Sequence, residues 1–315
     1  MKIGICLPHE TEAMGGKTAS GVEVLQLARL AEDAGFDSVW VVDHFCYSAA
    51  AEMEALGATA PSELIGKVYG AWECLTLCAA LARETQRVEI GTLVVNTGYR
   101  NPALLARMAE TIDELSDGRF ILGIGAGDFQ SEHEAFGYPW QRRISRFEEA
   151  LQIIRPMLAG RAVTFDGEFY ATRDAVNLPR GPRADGLPVL IGVLGRGPRM
   201  RRLVAQYADQ WNCWLGHADS HASAYVEIRD AMLAACERHG RDPVSLVRNV
   251  TPRICPTGAA ALSQDMKPLS GTPAEIAEQL HAFERLGVNH VSAWPHPNNE
   301  QSIVTLARAL EHLRS

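Results

Sequence analysis

An acid and an imidazole leave a short apolar run together in Val39-Trp40-Val41-Val42-Asp43-His44. A histidine beside a carboxylate can hold or release a proton near neutral pH, so the pair suits general acid–base work. Other apolar runs end in the same way. His9 and Glu10 follow residues 2–7, Asn96 and Thr97 follow 88–95, Gly125-Ala126-Gly127-Asp128 follows 120–124, and Trp294 with His296 closes 290–294. The run 188–193 opens into Gly192-Val193-Leu194-Gly195-Arg196-Gly197-Pro198-Arg199. Glycines there let backbone N–H groups approach an anion, and a helix starting at Pro198 would turn its positive end toward it. Arg196, Arg199, Arg201 and Arg202 add fixed charge. Competing chemistries lack their residues. No His, Cys and carboxylate set has metal spacing, and His217 with His221 reads as a solvated helix start. A Gly-x-Ser-x-Gly elbow is absent, which leaves serine-hydrolase chemistry unsupported. A Schiff-base or isomerase barrel would want a lysine or a carboxylate base at a strand end. Lys2, Lys17, Lys67 and Lys267 all lie elsewhere.

Residues so far apart in sequence need a scaffold that gathers strand ends. Eight strand-like runs, at 2–7, 38–42, 88–95, 120–124, 188–193, 210–215, 247–254 and 290–294, alternate with helical patterns. Val24, Leu27, Ala31 and Ala34 follow helical spacing and Gly35 stops it; Leu105, Met108, Ile112 and Leu115 do the same between Pro102 and Gly118. Thr272-Pro273-Ala274-Glu275 combines an N-cap, a first-turn proline and a capping-box glutamate. Alternation on this scale predicts an α/β chain folded as a (β/α)8 TIM barrel, with its chemistry at the carboxyl rim. The expectation is one domain over 1–315 with an insertion after strand 4 at about 125–187. That insertion holds a helix near 142–158 and a hairpin-like tract at 163–170. A second long connection runs over 45–69. Both leave carboxyl ends, so both are expected over the active face. Phe129, Phe136, Tyr138 and Trp140 would give the first of them an aromatic lid surface.

Composition narrows the partners. Of 315 residues 47% are hydrophobic, enough for a large core, and the net charge of -8 argues against nucleic-acid or membrane-surface binding. No apolar stretch approaches the roughly 18 residues of a membrane span, and the strand-like start lacks a signal-peptide layout. Seven scattered cysteines without Cys-x-x-Cys suggest reduced thiols and a cytoplasmic protein, with Cys74 and Cys78 in a helix core. Heavy Ala, Arg and Gly usage suits a GC-rich bacterial source.

The chain resembles the bacterial luciferase-like superfamily of flavin- or deazaflavin-dependent oxidoreductases. The segments that carry the likeness are 34–44, 88–92, Tyr99-Arg100-Asn101-Pro102-Ala103, Asp117-Gly118-Arg119-Phe120 through Gly127, Arg146-Phe147-Glu148-Glu149-Ala150 and Tyr207-Ala208-Asp209. The resemblance implies a barrel with a ring cofactor on its mouth and a phosphate at the start of the helix after strand five. It makes His44 and Asp128 the catalytic candidates, His44 as proton donor or acceptor near the ring. It assigns cofactor contacts to Asp43, Leu93, Val94, Asn96, Gly127, Gly195, Arg196 and Gly197, with a non-proline cis peptide at Leu93-Val94. Substrate contacts fall to His9, Glu10, Phe136, Trp140 and Trp294, and no metal is implied. The cofactor is either coenzyme F-420, which carries hydride, or reduced FMN, which supports monooxygenation. FMN chemistry would call for a separate reductase. Arg199, Arg201 and Arg202 would suit the long anionic tail of F-420. A small organic substrate and a homodimer are expected; the alternative is a non-catalytic flavin-binding protein of the same fold. The chain departs from many relatives at Asp128, where they have Trp, and at Arg196, which separates two glycines that are often adjacent.

Overall fold

A computed structural model describes residues 1–55, 62–193, 197–216, 219–256 and 266–314. Eight parallel strands form its centre: β1 (Lys2–Cys6), β2 (Ser38–Val41), β3 (Glu89–Thr92), β4 (Phe120–Gly125), β5 (Val189–Val193), β6 (Gln210–Trp214), β7 (Val247–Thr251) and β8 (His290–Pro295). Each pairs with the next, and β8 returns to β1 through Ile3 opposite Val291, which closes the barrel. Eight outer helices follow the strands in turn: α1 (Gly21–Asp33), α2 (Cys74–Glu84), α3 (Pro102–Leu115), α4 (Arg143–Leu158), α5 (Pro198–Tyr207), α6 (Ala222–Arg238), α7 (Pro273–Arg285) and α8 (Glu300–Arg314).

Local chemistry fixes where these elements begin and end. Ser20 and Glu23 form a reciprocal capping box at α1, and Thr272 with Glu275 does so at α7. Gly35 (φ +87°) and Gly287 (φ +77°) stop α1 and α7 in the left-handed region, so one helix-to-strand joint is used twice. Two expected strands prove to be interrupted. The run 88–95 breaks at the cis Leu93-Val94 peptide, after which Val95–Asn96 rejoins β4; the run 247–254 breaks at Pro252, which has no N–H to donate. Cys74 and Cys78 are buried in α2, as core.

The lumen is filled, not open. Trp40 is fully buried and its indole N–H donates to Ser38 Oγ at 2.7 Å, which in turn lies 2.7 Å from His290 Nε2. Burial, aided by the charges of Lys2 and the N-terminus, pushes His290 down to about 3, so the ring is a neutral acceptor. A second polar layer joins Asn212, Asn249, Thr251 and Ser292 at 2.7–3.1 Å. Such packing demands missing side chains elsewhere. A Cβ on Gly91 would lie 2.1 Å from the Trp40 ring, and one on Gly123 only 1.8 Å from the Thr92 carbonyl oxygen. Since a strand backbone cannot yield as a side chain can, Gly123→Ala is expected to lower unfolding free energy by about 3 kcal/mol. Chemical denaturation checks this; a midpoint unchanged from the parent would contradict it.

The stretch expected as a single insertion is divided. Helix α4 is itself the fourth outer helix of the barrel, and only residues 126–142 stand between β4 and it. The hairpin of Val163–Asp166 and Ala171–Ala175 lies along α4, because Glu149 accepts the N–H groups of Glu168, Phe169 and Tyr170 at 2.9–3.1 Å. Arg142 and Arg146 sit over Phe169 and complete the clasp. Asn177 and Arg180 then tie the return segment to Glu110 of α3. Only the first part of 125–187 therefore covers the mouth. The connection after β2 holds Cys46–Tyr47 paired antiparallel with Tyr69–Gly70, and Glu10 bridges to Ala71 beside it.

Candidate active site

At the carboxyl end of the barrel the His44 ring keeps 18% of its surface exposed. Its Nδ1 lies 2.9 Å from Glu132 Oε2, which leaves Nε2 as the nitrogen for a reacting group. Glu132 comes from the short helix Gln130–Ala135 and has a side chain only 1% exposed. It also accepts from the Phe45 N–H at 2.6 Å and from the Tyr99 hydroxyl at 3.1 Å. Phe129 stacks on the imidazole with centroids 4.7 Å apart, and Tyr47 packs against it at 5.0 Å. Burial alone would lower the proton affinity of this ring. The Glu132 hydrogen bond and the charges of Asp128, Glu132 and Glu10 outweigh it and push His44 up to about 9. The imidazolium is thus the favoured form at neutral pH.

A frame of buried polar contacts holds this group. Asp43 binds Arg100 through both oxygens at 2.6 and 2.9 Å and accepts the Asn96 N–H at 3.0 Å; Arg100 also pairs with Glu73. The Asn96 amide donates to His133 Nε2 at 2.8 Å while its oxygen accepts from Gly98. With His133 Nδ1 3.1 Å from the Pro139 carbonyl, that ring is fixed as one neutral tautomer, and burial lowers its pKa. Gly127 fits beneath: a Cβ there would meet the Asn96 amide nitrogen at 2.4 Å. His9 is buried, its ring nitrogens 3.0 Å from the Leu7 carbonyl and from the Val42 N–H. Asp43, Asn96 and His9 accordingly spend their polar atoms on the frame and position the site from below.

The rest of the expected set separates clearly. Glu10 accepts from the Tyr47 hydroxyl at 3.1 Å, and Asp128 is exposed, close enough for its charge to act on His44. Leu93, Val94 and Trp294 pack on a floor of Cys6, Trp40, Ile121 and Leu190. Glycine at 125 and 192 makes room for the Val94 methyls, which a Cβ at either place would meet at 2.8 or 2.9 Å. Phe136, 52% exposed, packs on Phe45, and Trp140 lies against His133 and under Arg143. These contacts pin the 126–142 segment, and Phe129 is its aromatic that reaches His44. Gly195 and Arg196 lie outside the described residues, as does His217. Gly197 caps α5 without a side-chain hydrogen bond. Arg199 and Arg202 do not stand free for an anionic tail, since both pair with Glu148 at 2.8 Å. Sequence reasoning missed Glu132 altogether.

Fold and site together define a (β/α)8 barrel with a proton-holding histidine at its carboxyl mouth. The chain belongs to the luciferase-like monooxygenase family, whose model matches residues 1–267. It is 26% identical to a 5,10-methylenetetrahydromethanopterin reductase of Archaeoglobus fulgidus over 91% of this chain and 94% of that protein. It is 35% identical to a phthiodiolone/phenolphthiodiolone dimycocerosates ketoreductase of Mycobacterium kansasii, over 68% of this chain and 58% of the relative. Among solved structures, an F420-dependent secondary alcohol dehydrogenase bound to an F420-acetone adduct superposes with a TM-score of 0.78 at 19% identity, covering 100% of this chain and 99% of that one. A long-chain alkane monooxygenase gives 0.75 at 14% identity, covering 100% and 91%. At these identities the structural likeness confirms the barrel itself.

Proposed function

We propose that this protein is an oxidoreductase that binds coenzyme F-420 or FMN across the barrel mouth and acts on a small organic substrate, with His44 as the proton donor. The observation that carries the reading is the His44–Glu132 pair, protonated at neutral pH and facing Glu10 and Asp128. Two features support a flat ring with a phosphate tail at the mouth. Val94 rises between Gly125 and Gly192 as a floor, and the ten-residue helix α5 offers first-turn N–H groups that no side chain caps. Leu93, Val94 and Gly127 would lie under the ring, with Gly195, Arg196 and Gly197 at the phosphate. A bound deazaflavin supplies hydride, and a bound reduced flavin can also activate oxygen. The protein's own part is then to keep one proton on His44 Nε2 for the oxygen of a substrate carbonyl. Glu132 fixes the ring and its charge, Phe129 shields one face from water, and Asp43, Asn96 and His9 hold the frame. The reductase and ketoreductase names among the curated relatives support hydride transfer as the direction of use.

Titration of the protein with F-420, FMN and reduced FMN by calorimetry tests the proposal. One of them should bind saturably, and the reduced form should be consumed on adding ketones or aldehydes. Absence of binding by all three would overturn it. Binding without turnover over a broad substrate panel would instead assign the protein to non-catalytic flavin binding.

A further inference from the structure

Arg253 stands two residues beyond the end of β7, as the one charge in Val250-Thr251-Pro252-Arg253-Ile254-Cys255. The break at Pro252 sends it to the mouth: its backbone pairs with Trp294, and its N–H donates to Ser220 Oγ at 3.0 Å. The guanidinium sits 5.1 Å from the Trp294 ring centroid and 5.6 Å from that of Trp214. Its Nε is buried and has no hydrogen-bond partner. Among the described residues no carboxylate lies within ion-pair distance of it. Glu10 is nearest in effect, because its charge acts on both Arg253 and His44, but its carboxylate is held by the Tyr47 hydroxyl. Burial opposes the charge of Arg253, and a guanidinium does not escape by losing its proton. A charged guanidinium whose buried Nε donor is idle is costly unless an anion completes it.

We propose that Arg253 is a substrate-binding residue that selects small apolar molecules carrying a carboxylate. This deepens the reading of the mouth as the reacting site and rests on it. The planar guanidinium fork matches a carboxylate through two parallel hydrogen bonds. Trp214, Trp294, Tyr47 and Phe129 offer aromatic surface to the rest of such a molecule. The mouth already holds Glu10, Asp128 and Glu132, whose charges all act on His44, so a phosphate dianion would meet more repulsion than a carboxylate monoanion. With the carboxylate anchored on the β7 and β8 side, the other end of the molecule points past Glu10 toward His44.

The test uses phenylacetate, phenylacetamide and phenyl phosphate as probes, titrated calorimetrically into the protein alone and into protein saturated with F-420 or FMN. Phenylacetate should bind about ten- to a hundredfold more tightly than the other two, and Arg253→Met should remove that preference. Cofactor affinity should stay within about twofold in Arg253→Met, and Arg253→Lys should keep part of the preference, since a single ammonium replaces the fork. Equal binding of acid and amide, or tighter binding of the phosphate, would overturn the proposal. So would loss of cofactor affinity in Arg253→Met with phenylacetate binding intact, which would place Arg253 in the cofactor site. If Arg253→Met does not fold, the wild-type comparison of acid with amide and the Lys variant decide. Failure of both cofactors to bind would sink the cofactor reading, while the titrations of protein alone would still judge the carboxylate site.

Discussion

His44→Ala is expected to reduce turnover by about 10²–10⁴-fold, the range for removal of a positioned general acid. Cofactor affinity should change by no more than about threefold, because the residues that would hold a ring and its phosphate follow β3 and β4 and precede α5. The argument rests on geometry. Nδ1 is committed to Glu132 at 2.9 Å, so a proton leaving Nε2 can be replaced without the ring turning. Phe129 at 4.7 Å and Tyr47 at 5.0 Å keep the plane of the imidazole fixed. A structural role would give a different pattern, with a lower melting temperature and near-normal kinetics in the folded fraction. Single-turnover oxidation of the reduced cofactor by a carbonyl substrate, measured beside cofactor binding, separates the two. Near-normal single-turnover rates would remove His44 from the chemistry.

The barrel was legible in the sequence because its signals are local. Capping boxes at Ser20 and Thr272 and the stops at Gly35 and Gly287 mark helix ends that neighbouring residues alone decide. His44 and Asp128 stand out by the same logic, as polar residues leaving apolar strands. The limits of the insertion were not legible. Helix α4 has the pattern of any amphipathic helix, and nothing local says that the hairpin after it folds back onto Glu149 instead of over the mouth. Glu132 was hidden for a related reason. In Gln130-Ser131-Glu132-His133-Glu134 it looks like one solvated charge among several, and its partners Phe45 and Tyr99 lie 87 and 33 residues away. Asp43, likewise, was visible as an acid beside a histidine, but Arg100, which claims both of its oxygens, is 57 residues on. Arg253 did carry a signal, a cation within a strand-like run, though its meaning needs the two tryptophans beside it.

Glu132→Gln should move the pH dependence of the reaction and leave the fold standing. In the wild-type protein His44 titrates at about 9, so a carbonyl-reducing rate that needs the imidazolium should hold level through neutral pH and fall as pH rises through 9. The glutamine keeps an oxygen to accept the Phe45 N–H, yet removes the negative charge and the acceptor facing Nδ1. The charges of Asp128 and Glu10 remain, as do the Phe129 and Tyr47 rings, so His44 should drop toward, without necessarily reaching, its ordinary value near 6.5. At pH 8 the reducing rate should then fall by about four- to thirtyfold, while at pH 5.5 it should approach the wild-type rate. Oxidation in the reverse direction needs the neutral ring and should gain where reduction loses. Stability follows the same sign. A histidine whose folded pKa is raised adds stability that is complete below about pH 6.5 and is lost as pH climbs through 9. The Glu132→Gln deficit in unfolding free energy should therefore be largest near pH 6 and fade by pH 10. A pH–rate limb that stays near 9 in the variant would show that Glu132 does not set the charge of His44, whatever happens to the overall rate.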